Sequence, residues 1–133
     1  MKKQNGFTLM ELMITLSIVA IVSGVVIYAL NPVQQLARAR NTQRWSNINS
    51  ILNAVGQNKA DNNGLFSCGA GAIPNATTVI GISGYNIENC IVPTYVGTLP
   101  LDPVTGTAND SGYSIREEAA TGRVTVHADD AEL

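Results

Sequence analysis

Phe7 to Leu30 is apolar at 18 of its 24 positions, and no charged side chain occurs from Leu12 to Ala37. As a helix rising 1.5 Å per residue, this segment would be about 36 Å long, enough to cross the hydrocarbon core of a bilayer. The 45% hydrophobic content of the 133 residues is therefore an average over one very apolar segment and a more polar remainder. That remainder leaves room for a single small domain at most. The 73 residues from Asp61 onward are few for the buried interior that a catalytic core usually needs. Eight Lys plus Arg against ten Asp plus Glu leave no basic footprint, so nucleic acid is not an expected partner.

The charges are sorted by position. Lys2 and Lys3 precede the apolar run, Arg38, Arg40, Arg44 and Lys59 follow it, and from Asp61 onward two arginines face nine acids. An acidic surface of this kind usually serves solubility. A basic helix and an acidic tail can also pair between neighbouring subunits. A cleaved secretory signal would also begin with lysines and an apolar run. This run is longer than a signal core, and Tyr28-Ala29-Leu30-Asn31-Pro32 offers no small-x-small cleavage site. Basic residues flank the run on both sides, so charge alone does not orient it.

Glu11 needs an explanation, because a carboxylate in a bilayer-spanning helix costs a few kcal/mol unless it is paired or lies near the interface. Glu11 is the fifth residue of the run, near one end. Either it snorkels or protonates there, or it awaits a cation from another chain.

The sequence Lys2-Lys3-Gln4-Asn5-Gly6-Phe7-Thr8-Leu9-Met10-Glu11-Leu12 resembles the signature of type IV prepilins and of the pseudopilins of type II secretion. Both have a short basic leader ending in Gly, then Phe, a hydroxyl residue, two apolar residues and Glu, opening a long apolar helix. The resemblance is close over residues 1 to about 60 and holds in general plan beyond. It implies cleavage by a membrane prepilin peptidase between Gly6 and Phe7, followed by N-methylation of Phe7. It implies that Glu11 neutralises the Phe7 amine of a neighbouring subunit during assembly. The product would be a homo-oligomeric helical filament, drawn from the inner membrane by a cytoplasmic ATPase acting through a platform protein. The chain would be a single-pass membrane protein first and an extracellular or periplasmic filament afterwards. The expected fold is α+β, with a long amino-terminal helix, half transmembrane and half amphipathic, packed on a small antiparallel sheet. The expected divisions are a leader at 1–6, a transmembrane and assembly helix at 7–30, an amphipathic half at 31–60 and a globular head at 61–133.

Gly24 and Pro32 are expected to interrupt the helix, since Pro32 cannot donate to the carbonyl of Tyr28. The interruption is either a bend at the membrane exit or, as in filaments of the resembled family, a stretch that loses helical pairing. Trp45, Ile48, Leu52 and Val55 recur at spacings of 3, 4 and 3 and are read as the core-facing stripe of the second half, with Arg38, Arg40, Arg44, Asn47 and Lys59 elsewhere. Asp61-Asn62-Asn63-Gly64 should end the helix, with Gly64 as a left-handed cap. Leu65 to Ala108 reads as loop with a short strand at Thr78–Ile82. Tyr113 and Ile115, then Val124, Val126 and Ala128, alternate as a terminal hairpin turning at Glu117–Gly122, with His127 facing solvent.

Cys68 and Cys90 are the two cysteines, and in an exported domain they should form one disulfide, worth about 3 kcal/mol by loop-closure entropy. Pro93 to Val96 reads as a short helical turn. Leu99-Pro100-Leu101-Asp102-Pro103 resembles a corner found in many small pilins and pseudopilins. There Asp102 either bonds nearby amides or contributes to a calcium site, for which the following loop adds only Asp110. Asn75-Ala76-Thr77 and Asn109-Asp110-Ser111 match the glycosylation triplet, which marks exposed loops at best.

No catalytic residues, cofactor or metal centre are expected, since no nucleophile and base, phosphate loop or metal cluster emerges. The functional expectation is a structural subunit of a type IV pilus-like filament. The alternatives are a major pseudopilin of type II secretion, or a minor tip, adhesin or DNA-uptake pilin binding a ligand through its head loops.

Overall fold

The computed structural model describes residues 6 to 132; Lys2, Lys3 and most of the expected leader lie outside them. The chain divides into two compact units, Met1–Leu36 and Ala37–Leu133. The first contains helix α1 (Leu9–Leu30), which has no buried residue along its length. Gly24 lies within this helix, which is unbroken as far as Leu30. The helix stops at Asn31, whose φ of 42° and ψ of 73° are left-handed, and Pro32 opens helix α2 (Pro32–Asp61). The break sits there for a local reason. A proline disfavours the right-handed helical conformation in the residue before it, asparagine tolerates the left-handed one, and proline itself suits the first position of a new helix.

The second unit is α+β. From Ala37 onward α2 lies against a three-stranded antiparallel sheet of order β1-β2-β3, with β1 at Thr78–Val79, β2 at Tyr113–Glu118 and β3 at Arg123–Ala128. The hairpin is in register, with Tyr113 opposite Ala128, Ile115 opposite Val126 and Glu117 opposite Val124. The alternation read in the sequence therefore places Tyr113, Ile115 and Val126 in the core and leaves His127 exposed. The strand expected at Thr78–Ile82 is shorter: the Ile80 amide still donates to the Tyr113 carbonyl at 2.8 Å, but the Ile80 carbonyl accepts from Ser111 beyond β2 and Ile80 also bridges Tyr85. Gly81 there has a φ of 152°, and a Cβ would meet the carbonyl oxygen of Asn109 at 2.3 Å, so the close approach of the two loops requires glycine. A one-turn helix, α3, covers Glu88–Ile91, just before the Pro93–Val96 segment that was expected to be helical.

The core-facing side of α2 differs from the sequence expectation. Ala37, Arg44, Ile51 and Asn58, seven residues apart and so nearly superimposed after two turns, form the buried line, joined by Ala54 and Val55. Trp45 sits about 100° round the helix from Arg44 and is 67% exposed. Ile48 and Leu52 flank the buried line and are only partly covered. Val55 is buried as expected, so the misplacement is at the Trp45 end of the stripe, where Arg44, read as outward-facing, occupies the core side at 2% exposure. Asn63 and Gly64 both take left-handed conformations, and the Gly64 amide donates to the Lys59 carbonyl at 2.7 Å, which closes the helix end as expected.

These placements separate two substitutions by size. Ile51→Ala, at a fully buried position, should destabilise the detergent-solubilised chain by about 2–5 kcal/mol, whereas Trp45→Ala should change it by less than about 0.5 kcal/mol. Urea unfolding followed by far-ultraviolet circular dichroism measures both, and the opposite ranking would restore the original stripe.

Candidate functional site

The amino-terminal candidates lie together at the start of α1. Gly6, Phe7 and Thr8 precede the helix, all exposed, and Glu11 falls in its first turn. Thr8 is the N-cap, with φ −81° and ψ 151°, and its Oγ1 accepts a hydrogen bond from the Glu11 amide at 3.2 Å. The Leu12 amide donates to the Thr8 carbonyl at 3.2 Å, the first backbone bond of the helix. Thr8 and Glu11 thus have the Ser/Thr-x-x-Glu spacing that satisfies otherwise orphaned amides at a helix start, with Glu11 where the helix dipole favours negative charge. Phe7 is 79% exposed, and an added Cβ on Gly6 would meet nothing within 4 Å. The residues expected to be processed and the carboxylate expected to act in assembly are therefore accessible on one short stretch of chain.

In the second unit the charged residues converge on a cluster that spacing did not reveal. Arg44 donates through Nε to Asp102 Oδ2 at 2.6 Å and through a terminal nitrogen to Oδ1 at 3.2 Å, with side-chain exposures of 3% and 0%. The other terminal nitrogen of Arg44 reaches Asn41 Oδ1 at 3.0 Å and Glu132 Oε1 at 3.1 Å. Arg40 donates to both oxygens of Glu132, through Nε at 2.7 Å. The Asn41 side chain pairs reciprocally with the Glu132 backbone, accepting from its amide at 3.0 Å and donating to its carbonyl. Asp102 Oδ1 also accepts from the amides of Val104 at 2.9 Å and Thr105 at 3.1 Å. The basic helix and acidic tail therefore pair within one chain, and Lys59 joins Glu117 in the same way at 2.6 Å.

These contacts set the protonation states. The Arg44 guanidinium, outweighing burial, brings the Asp102 carboxyl down to about 2, and Asp102 in turn raises Arg44 further above its ordinary value. Arg40 likewise holds Glu132 down to about 2. With its oxygens engaged by Arg44 and by its own turn, Asp102 takes the amide-bonding alternative of the two read from the corner. No group of three or more His, Cys, Asp or Glu is arranged to hold a metal ion among the described residues. Every buried side-chain nitrogen and oxygen among the described residues has a hydrogen-bond partner.

Cys68 and Cys90 form a disulfide with their Cα atoms 5.1 Å apart. It ties the loop after α2 to α3, and the Asn58 amide donates to the carbonyls of Ser67 at 3.1 Å and Cys90 at 3.2 Å beneath it. Sequence reasoning missed Thr8 as a cap, and Arg44, Asn41 and Glu132 as a cluster. The first was visible as the Thr8-x-x-Glu11 spacing, while the second joins residues about 90 positions apart and has no local signal.

Residues 1–27 match the family model described as the prokaryotic N-terminal methylation motif. The chain is similar to prepilin peptidase-dependent protein D of Escherichia coli (strain K12), 33% identical over 94 residues that cover 69% of this chain and 63% of that protein. The match thus spans less than two thirds of that relative. No solved structure matches. The resemblance read at the amino terminus is borne out by the motif and the relative, and the apolar helix together with the motif fits a membrane-anchored precursor.

The buried pair predicts a specific acid response. Because the carboxyl of Asp102 is depressed from 3.8 to about 2 on folding, its stabilisation is fully present above about pH 4 and is lost as the pH falls through about 2. Asp102→Asn should cost about 3–5 kcal/mol at pH 7, because Arg44 stays buried without its counter-charge, and should flatten the fall in stability between pH 4 and 2. Urea midpoints across that range measure both effects, and an unchanged acid limb would remove Asp102 as its source.

Proposed function

We propose, on the support that the methylation motif and the prepilin peptidase-dependent relative give to a pilin-family subunit, that this chain is a structural subunit of a type IV pilus-like filament. The observation that carries the reading is the pairing of an entirely exposed apolar helix, α1, with an accessible Gly6-Phe7-Thr8-Leu9-Met10-Glu11 start. Prepilin peptidase cuts after Gly6 and N-methylates Phe7. Glu11 then meets the Phe7 amine of a neighbouring subunit, so that two charges costly in lipid become one compensated pair. Apolar faces of α1 pack on neighbouring copies in place of lipid. On this reading, which the methylation motif supports, the chain is a structural subunit and not an enzyme, and an external ATPase and a platform protein supply the work of assembly.

A major pseudopilin of type II secretion is the second reading, favoured by the resemblance of the Leu99–Pro103 corner. Asp102 bears on it directly, since its carboxylate is held by Arg44 and not left for a cation. Before assembly the chain is anchored in the inner membrane, and the disulfide-bearing head lies on the far side of it, where oxidation is possible.

Mass spectrometry of the mature protein should find a methylated Phe7 as its first residue. Glu11→Ala should be processed normally yet lower the yield of sheared filaments at least tenfold, as counted by electron microscopy. Filaments of normal number and length from Glu11→Ala would overturn the pairing, and a retained leader would overturn the processing.

A further inference from the structure

The Thr8 cap ends α1 just short of the bond that the proposed function requires to be cut. Thr8 is extended, Gly6 and Phe7 before it are non-helical and exposed, and the helix begins at Leu9. Hydrolysis breaks the bond between the Gly6 carbonyl carbon and the Phe7 nitrogen. Water supplies a hydroxyl to the Gly6 carboxylate and a proton to the Phe7 amine. A protease must reach that carbonyl from one side and the departing nitrogen from the other. In the first turn of a helix the carbonyl is engaged by the amide four residues on and the peptide is held along the axis, whereas in extended chain both sides are free.

The sequence offers a competing helix start. Asn5 is a strong N-cap residue three positions upstream of Thr8. A helix begun at Asn5 would take Gly6, Phe7 and Thr8 as its first three residues and enclose the bond. Two features oppose it. Gly6 is a poor helix former, costing about 1 kcal/mol relative to alanine. Thr8 gives the later start a side-chain acceptor for the Glu11 amide at 3.2 Å, with Glu11 at the third helical position.

We propose that Thr8 is a positioning residue for leader removal. Its cap sets the start of α1 at Leu9 and so keeps the Gly6–Phe7 peptide extended and accessible to the peptidase. The inference rests on the processing reading above and deepens it. It assigns Thr8 a role before assembly, and it gives Gly6 a reason to be glycine, as a residue that disfavours the upstream helix start.

The test uses the full-length precursor in liposomes with purified prepilin peptidase, following the rate at which the leader is lost. Thr8→Ser keeps the acceptor and should be cut within about twofold of wild type. Thr8→Val keeps the shape without the acceptor and should be cut about fivefold more slowly, equivalent to about 1 kcal/mol, the usual worth of a cap. Adding Asn5→Ala to Thr8→Val removes the competing start and should restore most of the lost rate. In micelles, the Phe7 chemical shifts should move toward helical values in Thr8→Val, and the Glu11 amide, then bonded to the Phe7 carbonyl, should exchange no faster than in wild type. Cleavage of Thr8→Val at the wild-type rate would overturn the inference while leaving the processing reading intact. So would a double variant as slow as Thr8→Val, because the peptidase would then be reading the Thr8 side chain directly. A wild-type chain left uncut after Gly6 would overturn the processing reading itself, and the inference with it.

Discussion

Arg44 stands where an apolar residue would normally stand, on the buried line of α2 between Ala37 and Ile51. A guanidinium taken out of water is costly unless its charge and its donors are all answered. Asp102 answers the charge and two donors, and Asn41 and Glu132 take two more. Each partner comes from a different part of the chain: Asn41 from the same helix, Asp102 from the proline corner and Glu132 from the segment after β3. Satisfying one side chain therefore holds the corner and the carboxyl-terminal segment on α2. A lysine could not do this, since it lacks the planar fork that meets a carboxylate at two points while a third nitrogen reaches elsewhere.

The apolar part of the second unit is built around this polar anchor. Tyr113 is fully buried in the central strand, and its hydroxyl accepts from Asn47 at 2.9 Å, which also donates to the Leu101 carbonyl at 3.0 Å beside Asp102. At the other end of the head, Asn58 and the disulfide fix the loop that leads toward β1. Two polar fixtures and one crosslink thus frame a core of Ile51, Val55, Ile80, Ile87, Ile91 and Ile115. A head this small buries little apolar area, so such fixtures carry a larger share of its order than in a bigger domain.

The first unit follows a different logic. α1 has large apolar side chains all round and none of them buried, which suits a helix whose surroundings are lipid or copies of itself. Its ends are nonetheless sharply defined, by Thr8 at one and by Asn31 before Pro32 at the other. Both signals are local, a hydroxyl that accepts from an amide and a proline that constrains the residue before it, and both act on the backbone rather than through packing. A single apolar segment can therefore have definite limits without any tertiary contact of its own.

How much could be read in advance follows the range of the interactions involved. The α+β class, the apolar span, the methylation motif, the hairpin and the cysteine pair were legible because each is written in period, length or residue type within a short window. Trp45 was misread because hydrophobicity is a good guide to a helix face only when no charge is buried. Whether Arg44 is buried depends on Asp102, 58 positions away. The sequence alone determined the span of the apolar helix, the end of α2 and the terminal hairpin, since prolines, caps and alternation act within a few residues, whereas β1 and α3 took limits that it did not predict. Only the tertiary structure decided which side of α2 faces inward and where its charges are neutralised. A buried charge is tolerated only where its counter-charge arrives, and that arrival is settled by the fold of the whole head.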